Sequence, residues 1–254
     1  MEALKKAVHE LTETNDNPVP YLQKINEEIL KNYQISIDYS LTIIPKVVEI
    51  YYVNYLLRTP FVDTNMHCMT DMKKNAEIWA LQSDRFGQLY IHLKGRGGID
   101  ICLSDSKDYA LCCTLKAATI NGEEIWSALK IRDTLLEHIG KQTGNSLPVQ
   151  HIIGNINSPH SPVILTKREH SSDEFVYHVR RQGLRRNDKN TRLHLRSFTD
   201  LWNKKQPINN IDKVNLYMTI HPDADILTVM REQHFRYIPY PIRIKYKISA
   251  KAKL

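Results

Sequence analysis

Three apolar segments of this chain each carry one charged side chain: Glu49 in "KVVEIYYVN", Asp100 in "GGIDICL" and Lys116 in "CCTLKAATI". A carboxylate or ammonium buried without compensation costs several kcal/mol. Either the alternation of each strand turns its charge to water, or the three converge. Two carboxylates and an ammonium around one cleft would form a hydrolytic site with a shared charge balance.

A second set of residues suits phosphate. In "RRQGLRRNDKNTRLHLR", residues 180–196, seven Arg and Lys face the single acid Asp188. Six of the seven are arginine, whose planar guanidinium pairs phosphate bidentately. The run reads either as a phosphate-contacting segment, through Arg180, Arg181, Arg185 and Arg186, or as a solvated basic loop. The tip of "HLKGRGG" displays Lys94 and Arg96. Its glycine spacing matches neither Walker A nor GxGxxG, so it is read as a hairpin turn and not a phosphate cradle.

The elements that must position these groups follow from periodicity. Leu4, Val8 and Leu11, then Leu22, Ile25 and Ile29, keep helical spacing on either side of the turn-rich "NDNPVP". "YSLTIIPKVVEIYYVNYLL" opens a strand region, with Pro45 as a break before the Glu49 strand. Residues 60–85 read as irregular, with a short helix in "TDMKKNAEIWAL". Two strands meet near "KGRGG", and "YALCCTLKAATI" is a further strand. A helix is expected from Asn121 or Gly122 to Gly140, then a long loop over 141–174. A strand in "EFVYHVRRQGL", a short helix capped by Ser197 and a helix with Pro222 in its first turn come next. A last strand, alternating Ile242, Ile244, Tyr246 and Ile248, closes the chain. Strands outnumber crossover helices, so the fold expected is α+β: a single domain with a mixed, mostly antiparallel curved sheet flanked by helices. Residues 1–20 form a helical extension and 21–254 the domain.

Composition narrows the class. With 42% hydrophobic and 25% charged residues the chain reads as a soluble globular protein. No apolar run approaches the roughly 20 residues of a membrane span, and charges run through the N-terminus, unlike a signal peptide. Cys68, Cys102, Cys112 and Cys113 form no CxxC pair and read as reduced thiols, so an intracellular location (cytoplasm, nucleoid or nucleus) is expected. Without HExxH or zinc-spaced Cys and His, no metal is expected. A net charge of +7 favours a polyanionic partner.

The order of these pieces resembles the alkyladenine (3-methyladenine) DNA glycosylases over roughly residues 20–248. "VVEIYY" resembles that family's V-E-x-E-A-Y strand, with Glu49 at the catalytic glutamate and Tyr51 two residues on, and His67 in "DTNMHC" follows after a longer loop. "GQLYIHLKGRGGIDICLS" resembles its hairpin, with Asp100 in place of the family's asparagine. "TLKAA" resembles L-L-R-A, with Lys116 in place of arginine, and His92 stands near a family tyrosine. "RxGL" in the basic run and "FRYIPYP" resemble its late segments. The resemblance implies excision of alkylated or deaminated purines from double-stranded DNA by base flipping. Glu49 would be the general base on the attacking water, and Lys116 would orient that water or hold Glu49 ionised. Tyr51, His67 and His92 would hold the base, and Asp100 would contact the base edge or sugar. Lys94, Arg96 and the four arginines would lie on phosphates. No cofactor, no membrane and a monomer are implied. A non-catalytic nucleic-acid-binding relative of the same fold is the alternative, and a protein whose charge is incidental is a third.

Overall fold

Alternation in one long strand sets the architecture. In β2 (Leu41–Asn54), Val48, Ile50 and Tyr52 point into one core, while Tyr51 and Val53 point into another on the opposite face. The same split runs through β5 (Ile99–Cys102) and β6 (Tyr109–Ile120). Ile99, Ile101, Leu111, Cys113 and Leu115 share the first core, and Cys102, Ala110 and Cys112 the second. Both faces of the sheet are therefore covered, and the alternation alone does not bring Glu49 to water.

The computed structural model describes residues 1–14, 17–37, 40–69, 79, 83–92, 98–143, 163–184 and 189–254. The sheet in Met1–Thr199 has the order β4–β5–β6–β2–β1–β8, with β1 at Tyr33–Ile37, β4 at Leu89–Ile91 and β8 at Val163–Lys167. β6 occupies one edge of β2 over most of its length. The other edge is shared in succession by β1, β10 (Arg196–Phe198) and β3 (Phe61–Val62). β7 (Glu123–Ile125) pairs with β6, and β9 (Tyr177–Val179) pairs with β10. Among the described residues every pairing is antiparallel, giving an α+β fold with a curled antiparallel sheet. The apolar segments that carry Glu49, Asp100 and Lys116 lie in β2, β5 and β6 of this one sheet.

Helices α1 (Glu2–Glu13), α2 (Val19–Asn32) and α3 (Ala128–Thr143) bury their apolar stripes in the first core. Leu4, Ala7, Val8 and Leu11 of α1 are inside that core, so residues 1–20 are part of the domain and not an extension. The single domain expected over 21–254 is corrected at its other end as well. Asp200–Leu254 forms a second compact unit with its own core of Val214, Met218, Val229, Met230, Ile238 and Ile242. It contains α4 (Asn210–Ile220), α5 (Ile226–Glu232) and α6 (Tyr240–Lys245).

Four local expectations change for identifiable reasons. Pro45 does not break β2; it sits where the β2–β6 register slips, a place that tolerates a missing N–H. Asn121 and Gly122 do not start a helix; with φ of 46° and 89° they turn the β6–β7 hairpin, as an Asn-Gly pair does. Ser197 lies in β10 and caps no helix. The closing alternation 242–248 is not a strand. Pro239 and Pro241 cannot donate to a ladder and suit a helix start, and α6 buries Ile242 while Ile244 is 62% exposed. Within the expected loop 141–174, β8 adds an edge strand against β1. The short helix expected in "TDMKKNAEIWAL" lies almost wholly outside the described residues.

Candidate functional site

One cross-strand row assembles the site. Register places Tyr90 of β4, Asp100 of β5, Thr114 of β6, Glu49 of β2 and Arg196 of β10 opposite one another in turn. Directly opposed residues share a sheet face, so this row lies on the face away from the helices. Lys116 joins it through an irregularity. The β2–β6 pairing passes from Val48 with Leu115 to Val47 with Ala117, leaving Lys116 as the unmatched residue beside Glu49.

Glu49 is 1% exposed and fully engaged. Its Oε2 accepts from the Tyr51 hydroxyl at 2.9 Å and meets Lys116 Nζ at 3.1 Å. Its Oε1 accepts from Arg196 Nη1 at 3.3 Å. Burial first, and then the charge of Glu49, push the Tyr51 hydroxyl well above its usual range, so it stays a donor. A buried carboxylate left unpaired would be strongly destabilising; here two cations and a phenol compensate it. The Lys116 side chain, 25% exposed, is the least buried member of this group.

Asp100 forms a second centre in the row. Its Oδ1 accepts from the Thr114 hydroxyl at 2.5 Å, and its Oδ2 is 2.8 Å from His92 Nε2. Burial alone would raise this carboxyl, but the charge and hydrogen bond of His92, then Thr114 and Lys116, hold it below the usual range. Conversely, burial would lower His92, and Asp100 outweighs it, so the imidazole gains a proton more readily than usual. The His92 ring stacks on His67 with centroids 4.8 Å apart, and Tyr90 meets both rings edge-on. The Tyr90 hydroxyl and His67 Nδ1 are 3.2 Å apart.

The structure thus brings Glu49, Tyr51 and Lys116 into direct contact, and His67, His92 and Asp100 into a neighbouring cluster. The basic run behaves differently from its expectation. Arg181 is no surface cation: it is 5% exposed, ion-paired with Asp63, donates to Ile50 O and Asn190 O, and lies 4.5 Å over the Tyr51 ring. Arg196 is likewise turned inward. Arg180, Lys189 and Arg192 are exposed, while Arg185 and Arg186 lie outside the described residues, as do Lys94 and Arg96 of the hairpin tip.

Sequence reasoning missed Arg196, Asp63 and Thr114. Thr114 was legible, since it precedes Lys116 by two in a strand and so shares its face. Arg196 and Asp63 carry no local signal, because their roles depend on β10 and the turn after β3 folding back onto β2.

Other reactive side chains are accounted for by packing. Burial raises the Cys68 thiol to about 12 and the Cys112 and Cys113 thiols well above their usual range, so they stay protonated and inert. His178 bridges Ser197 Oγ at 2.8 Å and Glu27 Oε1 at 3.0 Å, which has the composition of a catalytic triad. Ser197 is fully buried and also accepts from Asn26 of α2 at 2.9 Å, so the three clamp α2 onto β9 and β10. Among the described residues, no three His, Cys, Asp or Glu side chains are placed to share a metal ion. Two clefts formed by described residues, one around Glu123 and His138 and one around Asn209 and Tyr237, are not lined by Glu49.

No protein-family model matches this sequence, and no curated protein matches it.

Proposed function

We propose that this chain is a DNA glycosylase that excises alkylated or deaminated purines from double-stranded DNA. The observation that carries the reading is the contact of Glu49 with Lys116 and Tyr51 beside the ring cluster of His67, Tyr90 and His92, all on one sheet face. In this mechanism the flipped nucleotide enters from the solvent side of Lys116, whose ammonium holds the attacking water. Glu49 takes the water's proton as its oxygen bonds to the anomeric carbon. The glycosidic bond breaks, and its electron pair leaves with the purine. General-base assistance of this kind contributes about 10²- to 10⁴-fold. The outer faces of the rings stack the base, and protonated His92 donates to a purine nitrogen, which helps a deaminated purine leave. Asp100 acts through His92 in this scheme, because Thr114 and His92 already occupy its two oxygens.

A second reading, a nucleic-acid-binding relative without catalysis, is favoured by one specific observation. Both oxygens of Glu49 are engaged and the residue is 1% exposed, as in a purely structural ion cluster. Base release from duplexes carrying methylated adenine or hypoxanthine separates the two. Glycosylase action predicts abasic sites from the wild-type chain. Glu49→Gln then loses at least about 100-fold in single-turnover rate while duplex affinity and far-UV circular dichroism are kept. Absence of base release by a folded, DNA-binding wild-type chain would leave the second reading standing.

A further inference from the structure

Five of the chain's seven net positive charges sit in Asp200–Leu254, where ten Lys and Arg stand against five Asp and Glu. This unit also exposes Tyr237 (72%), Tyr240 (75%) and Ile244 (62%), half of the six large hydrophobic side chains exposed among the described residues. Tyr240 and Ile244 are four residues apart on α6 and so lie side by side. Lys247, just past the end of α6, is exposed, and its backbone N–H donates to Ile244 O at 3.3 Å. Ahead of the helix, Tyr237 lines a cleft of about 650 Å³ with Phe235, Arg236 and Pro239, facing the start of α4.

We propose that this second unit carries a nucleic-acid-binding surface of its own. It takes a single-stranded segment, with bases stacked on Tyr237 and Tyr240 and phosphates on Arg236 and Lys247. Exposed rings interleaved with cations are the chemistry that non-specific single-strand binders use: any base offers a π-face, and cations track the backbone. The cleft volume falls in the range of small-molecule sites and accommodates one nucleotide. Two neighbouring cations are already committed elsewhere. Arg243 donates to Ser249 O and Ala252 O, holding the last turn, and Lys245 donates to Asn215 Oδ1. A lipid surface fits less well. α6 has six residues, too few to bury an amphipathic face, and two of the three exposed groups end in phenol hydroxyls. A second copy of the chain would bring like charge onto like charge. The surface is built wholly from residues of the second unit, so this inference and the base-excision reading fail independently.

The test is anisotropy of a fluorescein-labelled thymidine homopolymer with the full chain, titrated over a series of salt concentrations. The double variant Tyr237→Ala, Tyr240→Ala should weaken binding about tenfold or more per ring. Tyr237→Phe, Tyr240→Phe should keep affinity, because stacking needs the ring and not the hydroxyl. Arg236→Gln with Lys247→Gln should flatten the log–log salt slope by about 1.4, from roughly 0.7 per phosphate on a single strand. All four side chains are exposed, so far-UV circular dichroism should be unchanged in each variant. The inference is overturned if the full chain does not bind the oligomer, or if the alanine pair binds it as the parent does. It is overturned equally if these substitutions leave oligomer binding intact but abolish binding to phosphatidylserine vesicles, which would make the surface a membrane contact.

Discussion

Glu49, Asp100, Lys116, Arg181 and Arg196, on the second face of the sheet, each meet a polar partner, and this determines what a single substitution does. Arg181 and Asp63 are both fully buried at their side chains. Arg181→Met keeps much of the volume and removes the cationic partner of the buried Asp63 carboxylate. A loss of about 3–5 kcal/mol is expected in urea unfolding. Arg180→Ala, at the exposed neighbouring position, should stay within about 0.5 kcal/mol. The His92–Asp100 pair carries a pH signature. His92 is raised above its ordinary 6.5, so its contribution is full below that value and lost as pH rises through the raised one. Asp100 is lowered from 3.8, so its contribution is lost as pH falls through the lowered value. Thermal melts of wild type and His92→Gln should therefore differ most between these limits, and the gap should close toward alkaline pH. A gap that is constant through that range would mean that the pair is not ionised.

Two glycines show how elements are fitted by different physics. A Cβ on Gly98, at the start of β5, would stand 2.8 Å from the Cβ and 3.0 Å from the carbonyl oxygen of Ala128, where α3 begins. Gly98→Ala must push strand and helix apart and should cost about 1–3 kcal/mol by overpacking. Gly122, in the β6–β7 turn, has open space around it but a φ of +89°. Gly122→Ala should cost about 1 kcal/mol or somewhat more through backbone strain alone. Denaturant midpoints check both. The distinguishing result is rescue: trimming Ala128 to glycine should recover part of the loss at Gly98 and none at Gly122. The Asn-Gly turn was legible in the sequence, yet it was read as a helix start, with Ile125, Leu129, Leu136 and Ile139 as the buried stripe; α3 instead buries Ile131, Leu135 and Ile139. Elements with a strong period were recoverable. The closing segment was not, because the alternation of Ile242, Ile244, Tyr246 and Ile248 suits a strand while the prolines beside it suit a helix.

At the scale of the whole molecule the chain divides at Thr199, and each unit closes its own core. Two cores give two cooperative units, so calorimetry of the full chain should depart from a two-state transition, with a calorimetric enthalpy above the van't Hoff value. A fragment ending at Thr199 should keep a cooperative melt, since the sheet, α1, α2 and α3 supply its core from within. A single two-state transition in the full chain, and a fragment without a cooperative melt, would show the units to be one folding body. No helix among the described residues is long and apolar enough to cross a membrane.

Side-chain type was enough to place Glu49, Asp100 and Lys116 on apolar strands and to set convergence beside a water-facing reading, while Tyr51 entered through the family resemblance. Side-chain type was not enough to say which face is wet. That depends on whether another layer covers the second side, and the residues that cover it are distant in sequence: Met66 and Cys68 after β3, and Arg181 beyond β9. The partners of Glu49 divide in the same way. Tyr51 is two residues away on its own strand, so alternation alone places it. Lys116 needs the β2–β6 register with its unmatched residue, and Arg196, 147 positions along the chain, needs β10 laid against β2. Pairing register is a property of the assembled sheet, and only tertiary structure decides it.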